Sequence, residues 1–411
     1  MAAPRPSVVA GQARARRTRT AALAAAAALL SGCSLFATPS PAPVHDPSLA
    51  PPGAVGYVVC PNAVTPVELG TRTAEEDIPL PITGTPALGN FAIATSPDGR
   101  WAYVVTSDGV APTSVTAEAT AGATAKGVSA ATNPPTPPSG VVLQNVVIPI
   151  NLVTQQAQTP IRIPGQGGTH AIVVLPGGRT ILAASGSTIV PVDAVTYRVG
   201  APLDLGPGRT IFGMALDPRT AEVFALVAGG VFPVDTANAT AGTEIATGLS
   251  VSSVYSPHGI AVTSDGATVY VVGQGGSDFG GRILPIAAST GATQPTTGFD
   301  RFGIADPAAI AVTPDGSMLL VADSANNWVN PVAVSTFSDP SPPVRLPERS
   351  VDASSSGTAH PTDIVLGPGR ASAFVVDGFD AVIPFQAASQ TFGRPIAVCS
   401  GASSMAVAPA P

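Results

Sequence analysis

The chain alternates short apolar runs with clusters of turn residues, and the alternation repeats. IAVTPDG at 310–316 and IAVTSDG at 260–266 are the clearest copies. Looser ones are AIATSPDG (92–99), AIVVLPGG (171–178), MALDPRT (214–220), DIVLGPG (363–369) and MAVAPAP (405–411). Pro presets one turn dihedral and Gly supplies a cheap positive φ, so each copy predicts a strand entering a tight turn. All but the last are followed by a second apolar run such as WAYVV, TVYVV or MLLVA, which completes a hairpin. A second motif, seen as VTPVELGT, VIPINLVT and IVPVDAVT, centres on Pro66, Pro149 and Pro191, with further copies at Pro233, Pro285, Pro331 and Pro384. Segments such as DIPLPITG, TPIRIPG and APLDLG trail most of these copies and predict one more short strand. The unit is therefore four strands.

Seven units of this kind predict an all-β, seven-bladed β-propeller. The motif prolines are 83, 42, 42, 52, 46 and 53 residues apart. The long interval contains a polar insertion, 107–140, poor in large apolar residues and read as a flexible flap. The ends decide closure. The folded part, 54–411, opens on the second, third and fourth strands of a blade (GYVVC and the Pro66 motif) and finishes on a lone first strand, SSMAVAP. Pairing of the N- and C-terminal strands closes the ring and removes an exposed edge. One tension stays in this reading. A proline inside a third strand lacks a ladder donor, so it is expected to start that strand or to sit at a bulge.

The alternation of IAVTPDG, YVV and V-x-P-I/V-D-x-x-T resembles the YVTN-type β-propeller repeat family over roughly residues 54–411. The resemblance implies a lactonase-like or binding propeller of the kind common among exported actinobacterial proteins. It implies a fold more than an activity.

The N-terminus changes the picture from fold to location. Arg14, Arg16, Arg17 and Arg19 precede the apolar run Ala21–Leu30, too short to span a bilayer but suited to a signal peptide (1–32). Leu30-Ser31-Gly32-Cys33 resembles a bacterial lipobox, which implies lipidation of Cys33 and anchoring to the outer face of the cell membrane. Residues 33–53, rich in Pro, Ser and Ala, then form a tether. With Cys33 lipidated, Cys60 and Cys399 are the only cysteines left, and export permits a disulfide. Both fall at strand ends on one face, beside the seam where the termini meet.

Composition mainly excludes. The net charge is −7 and no basic run follows the N-terminal segment, which argues against nucleic-acid binding. No G-x-S-x-G elbow, H-E-x-x-H or P-loop occurs, the two tryptophans cannot make a repeating docking motif, and no WD dipeptide is present. Candidate chemistry is confined to the end carrying the loops from second to third and from fourth to first strands. Asp323, Asn326 and Asn327, with Asp377 and Asp380, offer hard oxygen donors suited to a divalent cation, although Asp and Asn also favour turns for their own sake. His170 and His258 share one repeat position at the channel entrance, while His360 is offset by two residues. Two histidines do not complete a zinc site, so no cofactor is expected.

The resulting reading is a monomeric, surface-anchored binding scaffold. Its partners are the membrane, through the lipid, and a protein, envelope polymer or small molecule. The alternatives are a lactonase-like hydrolase using Asp323, Asn326 or His258 at the channel mouth, and a structural envelope protein. Replacing Cys33 with Ala is expected to release the protein from membranes or block its processing. Fractionation and gel migration identical to the parent would contradict the anchor.

Overall fold

A computed structural model describes residues 54–82, 91–110, 142–165, 167–168, 171–251, 259–275, 280–294, 297–298, 304–337, 342–347, 360–367 and 372–408. Cys33, the signal segment, the tether, His170, His258 and residues 111–141 of the insertion lie outside the described residues. The described residues form seven antiparallel sheets of one architecture, a seven-bladed β-propeller.

Blade one joins the two ends of the chain. Its first strand is Ser404–Val407, its second Val55–Val59 and its third Ala63–Glu68. The terminal strand pairs antiparallel with its neighbour, Val407 against Gly56 through Ser404 against Val59. Blades two to seven are continuous in sequence and begin with first strands Ala92–Thr95, Ile172–Val174, Ile211–Leu216, Ile260–Val262, Pro307–Val312 and Asp363–Leu366. Each first strand touches the first strands of the two neighbouring blades, and the cycle closes through Ser404–Val407. The expected closure is therefore present. A disulfide joins Cys60 to Cys399, with Cα atoms 6.0 Å apart, across the seam between blades seven and one. On the same seam the Cys399 amide donates to Thr65 Oγ1 at 3.0 Å.

Packing follows from strand alternation. Each blade turns alternate side chains toward its two neighbours, so the apolar core divides into seven clusters, one per seam. Tyr57, Tyr103 and Phe224 are among the largest fully buried side chains. Each stands directly opposite a motif proline, pairing with Pro66, Pro149 and Pro233 respectively. Tyr270 and Phe374 hold the same relation to Pro285 and Pro384. The second apolar run of the repeat thus places a large side chain over the proline of the third strand.

The prolines correct the sequence reading: they neither start the third strands nor sit at bulges. Pro66 lies inside Ala63–Glu68 and Pro149 inside Val142–Asn151, with unbroken register to the second strand. In an antiparallel strand a residue's N–H and C=O point to the same side. The proline carbonyls accept from the fourth-strand side: Glu75 N donates to Pro66 O at 2.8 Å and Gln158 N to Pro149 O at 2.7 Å. The missing donor therefore faces the fourth strand, and the fourth strand breaks there. In blade one it is two short pieces, Thr73–Ala74 pairing with Val67 and Glu68, and Ile78–Pro79 pairing with Ala63 and Val64. Blades two, four and seven divide in the same way. Two-residue pieces also make poor templates for another chain to pair with at the rim of the ring.

The insertion needs a second adjustment. Trp101–Val110 and Val142–Asn151 remain paired as far as Val110 against Val142, so the hairpin of blade two extends through 107–110, residues read as part of the flap.

Both repeat motifs prove to be turn-capping devices. In the T-P/S-D-G copies, Thr263 and Thr313 each accept the amide of the residue five further on at 3.0 Å and donate to Asp265 or Asp315 at 2.6 Å. Gly266 and Gly316 follow with φ of 67° and 69°. In the V-D-x-x-T motif Asp193 Oδ1 accepts the amides of Val195 and Thr196 and the Thr196 hydroxyl. The Thr196 amide is the chief reason that the Asp193 carboxyl is held down at about 2. The Thr313 hydroxyl does the same for Asp315, also at about 2. Both kinds of turn lie at one end of the ring, because first-to-second and third-to-fourth connections share an end in an up-and-down sheet.

Deleting residues 402–411 removes the only first strand available to blade one and bares the edge of Val55–Val59. The truncated protein is expected to aggregate or to melt well below the parent. An unchanged melting curve would contradict closure by both termini.

Candidate functional site

The opposite end carries the second-to-third loops and the fourth-to-first connections, and here the blades differ from one another. On blades six and seven these segments interlock. Asp323, fully buried at the end of a second strand, accepts five N–H groups: the amides of Ala305, Asp306, Ala325 and Asn326 at 3.1–3.4 Å and the Asn326 side-chain amide at 2.7 Å. It fastens its own loop to the connection that enters blade six. Asp377, also fully buried, accepts the amides of Phe379, Asp380 and Ala381 at 2.9–3.1 Å. The Asp380 carbonyl accepts the amide of Val398 at 2.7 Å. Asn327 occupies a left-handed turn position, φ 59°, and its carbonyl accepts the Leu346 amide.

These geometries recast the acidic-and-amide cluster. Asp323 and Asn326 face each other and the backbone, and Asp377 caps its own loop. No group of three or more His, Cys, Asp and Glu side chains is arranged to hold a metal ion among the described residues. The turn preference of Asp and Asn accounts for most of what the sequence offered at these positions.

His360 was passed over in the sequence because of its two-residue offset, yet it joins the loops of blades six and seven. Its exposed ring lies 5.8 Å from the Phe379 ring, and its Nδ1 is 3.1 Å from the Ser324 carbonyl of the neighbouring blade. A carbonyl can only accept, so Nδ1 is the donor in this contact. Ser324 in turn donates to Asp306 Oδ2 at 2.7 Å. Gly378, φ 76°, is required here, since a Cβ would stand 2.7 Å from the His360 carbonyl oxygen and 2.9 Å from Thr362 Cγ2. The offset that hid His360 is what carries it above the first strand and onto the loops.

A second polar assembly links blades two and three. Ser107 Oγ donates to Asn145 Oδ1 at 2.8 Å, and Asn145 Nδ2 donates to Ser185 Oγ at 2.7 Å and to the Gly167 carbonyl at 3.1 Å. All three side chains are buried. Ser107 went unnoticed because it was assigned to the insertion, and Asn145 because nothing in a lone strand asparagine predicts a cross-blade partner. Between blades seven and one, the fully buried Asp363 accepts the Met405 amide at 2.9 Å, tying the closing strand to its neighbour. The repeat places Ala or Gly at this position in blades two to six, Ala92, Ala171, Gly213, Gly259 and Ala309. Two positions further along the first strands the repeat places the small apolar residues Ala94, Val173, Ala215, Ala261, Ala311, Val365 and Ala406, which pack into the seams between blades.

Comparisons with known proteins bear on the fold. No protein-family model matches the chain, and no curated protein matches it. Among solved structures, hydrazine synthase of Kuenenia stuttgartiensis is similar with a TM-score of 0.58 at 15% identity, over 80% of this chain and 92% of that one. A functionally unknown protein from Desulfotomaculum acetoxidans gives 0.59 at 13% identity, over 87% and 99%. At these identities the likeness is one of fold.

Asp323→Ala would leave several buried amides without an acceptor. We expect a loss of about 2–4 kcal/mol, read as a lower urea midpoint at constant slope. An unchanged midpoint would show that the carboxylate does not hold the loop.

Proposed function

We propose that the chain is an exported, Cys33-anchored binding scaffold of the YVTN type, which holds its loop end toward a ligand in the envelope. One observation carries this reading: the two ends of the ring are chemically unlike. At the turn end the repeated Asp, Thr and Gly residues are occupied in capping one another. At the loop end the side chains are specific to individual blades, and His360, Phe379, Ser324 and Asp306 meet across one seam. Residues that vary between copies of a repeat on one common face are where a repeat protein gains specificity. The lipobox resemblance and the proline-rich tether support a position on the outer face of the membrane, with the ring clear of the bilayer.

A hydrolytic reading keeps one point in its favour. The His360 imidazole is oriented through Nδ1 and offers Nε2 to solvent, the arrangement that a general base requires.

Both readings meet in one experiment. The full-length protein is titrated with solubilised envelope glycan and with a panel of lactones and esters, alongside His360→Ala. The scaffold reading expects a binder whose affinity falls at least tenfold in the variant, with melting within about 2 °C of the parent and no turnover. Turnover abolished by the same substitution would move the assignment to the hydrolase. Binding unaffected by His360→Ala would contradict the placement of the site at this mouth.

A further inference from the structure

The outer side of the ring carries a groove of about 550 Å³ on the seam between blades four and five. One wall is Pro233 with the fourth-strand residues Ile245 and Ala246, and the other is the turn beginning at Ala288. Hydroxyl groups of Ser289 and Thr290 stand along its lip. Glu222 and Glu244 reach it from blade four, and the two are placed differently. Glu244 is neutralised by Arg209 at 2.7 Å. Among the described residues, the half-buried Glu222 carboxylate makes no hydrogen bond and no ion pair. Its neighbours carry its own sign, because partial burial first, then the charges of Asp217 and Asp235, push its carboxyl above the ordinary value. Arg219, the nearby cation, is engaged elsewhere, its guanidinium donating to the Asp265 carbonyl at 2.7 Å.

An uncompensated carboxylate in a mixed groove that also presents Pro233, Ile245, Ala246 and Ala288 fits a side chain with a long apolar stem and a cationic tip. A divalent cation is poorly served, since Glu244 is already paired with Arg209 and one remaining carboxylate with a few hydroxyls does not build a shell of six or more oxygens. The geometry points to this groove as the docking site for a lysine or arginine side chain presented by a segment of a partner protein. The stem lies on Pro233, Ile245 and Ala288, and the tip meets Glu222. The volume exceeds that of one such side chain, which leaves room for the residues on either side of it. The Ser289 and Thr290 hydroxyls can hydrogen-bond the backbone of that segment. This site is separate from the loop end and does not depend on what binds there.

Saturation-transfer NMR on the purified full-length protein tests the assignment with three capped tripeptides, acetyl-Ala-X-Ala-amide, where X is lysine, norleucine or glutamate. The lysine peptide is expected to receive saturation on its side-chain methylenes, while the norleucine and glutamate peptides receive little. Glu222→Gln keeps the shape and removes the charge, and should weaken the effect at least fivefold. Thr290→Arg places a cation at the lip and should do the same, and both variants should melt like the parent. High salt should also weaken binding, because the contact is charged and partly open to solvent. Equal saturation of the norleucine peptide, or a lysine signal indifferent to both substitutions, would overturn the proposal.

Discussion

Closure of the ring is the constraint on which the rest of the structure depends. Six blades could form as local hairpins, but none can bury both faces without a neighbour on each side, and the seventh exists only when residues 404–407 reach 55–59. Three further contacts act on that seam. Asp363 accepts an amide from the closing strand, Thr65 accepts one from Cys399, and the Cys60–Cys399 disulfide ties the same region covalently. Joining residues 339 apart constrains most of the folded chain, so the bridge acts mainly by narrowing the unfolded ensemble.

The motif prolines show how one residue type shapes an architecture in blade after blade, with six of their carbonyls accepting an amide from the fourth-strand side among the described residues. A missing N–H turned toward the second strand would have damaged the inner ladder. Turned toward the fourth, it interrupts only the outermost strand. The large side chain opposite each of several prolines covers the ring, so packing compensates for the absent hydrogen bond. The result is a rigid inner sheet and a fragmented rim. The groove at blades four and five opens on that rim, beside the short piece Ile245–Ala246.

Fold and function were legible to different degrees because the repeat encodes turns. Periodicity gave the blade count, the closing strand and the cysteine pair, all of which depend on position in a repeating unit. It could not give Asn145, whose partners Ser185 and Gly167 lie on the next blade, nor His360, whose importance comes from a loop offset and a carbonyl on blade six. Asp323 and Asp377 stood out for their composition, but most of the amides that occupy them are backbone groups, invisible in a sequence. The prolines were noticed and misread, since sequence shows that a donor is missing without showing which side it faces.

The central claim is a division of labour, in which repeated residues build the turn end and blade-specific residues at the loop end meet the ligand. Hydroxyl-radical footprinting of the protein in the cells that produce it, compared with the purified protein, tests it most directly. The account predicts protection at His360, Phe379 and Trp328, which opens the third strand of blade six at the loop end, with the turns at 97–99, 265–266 and 315–316 labelled equally in both samples. Protection confined to those turns, with the three loop-end residues unchanged, would contradict it.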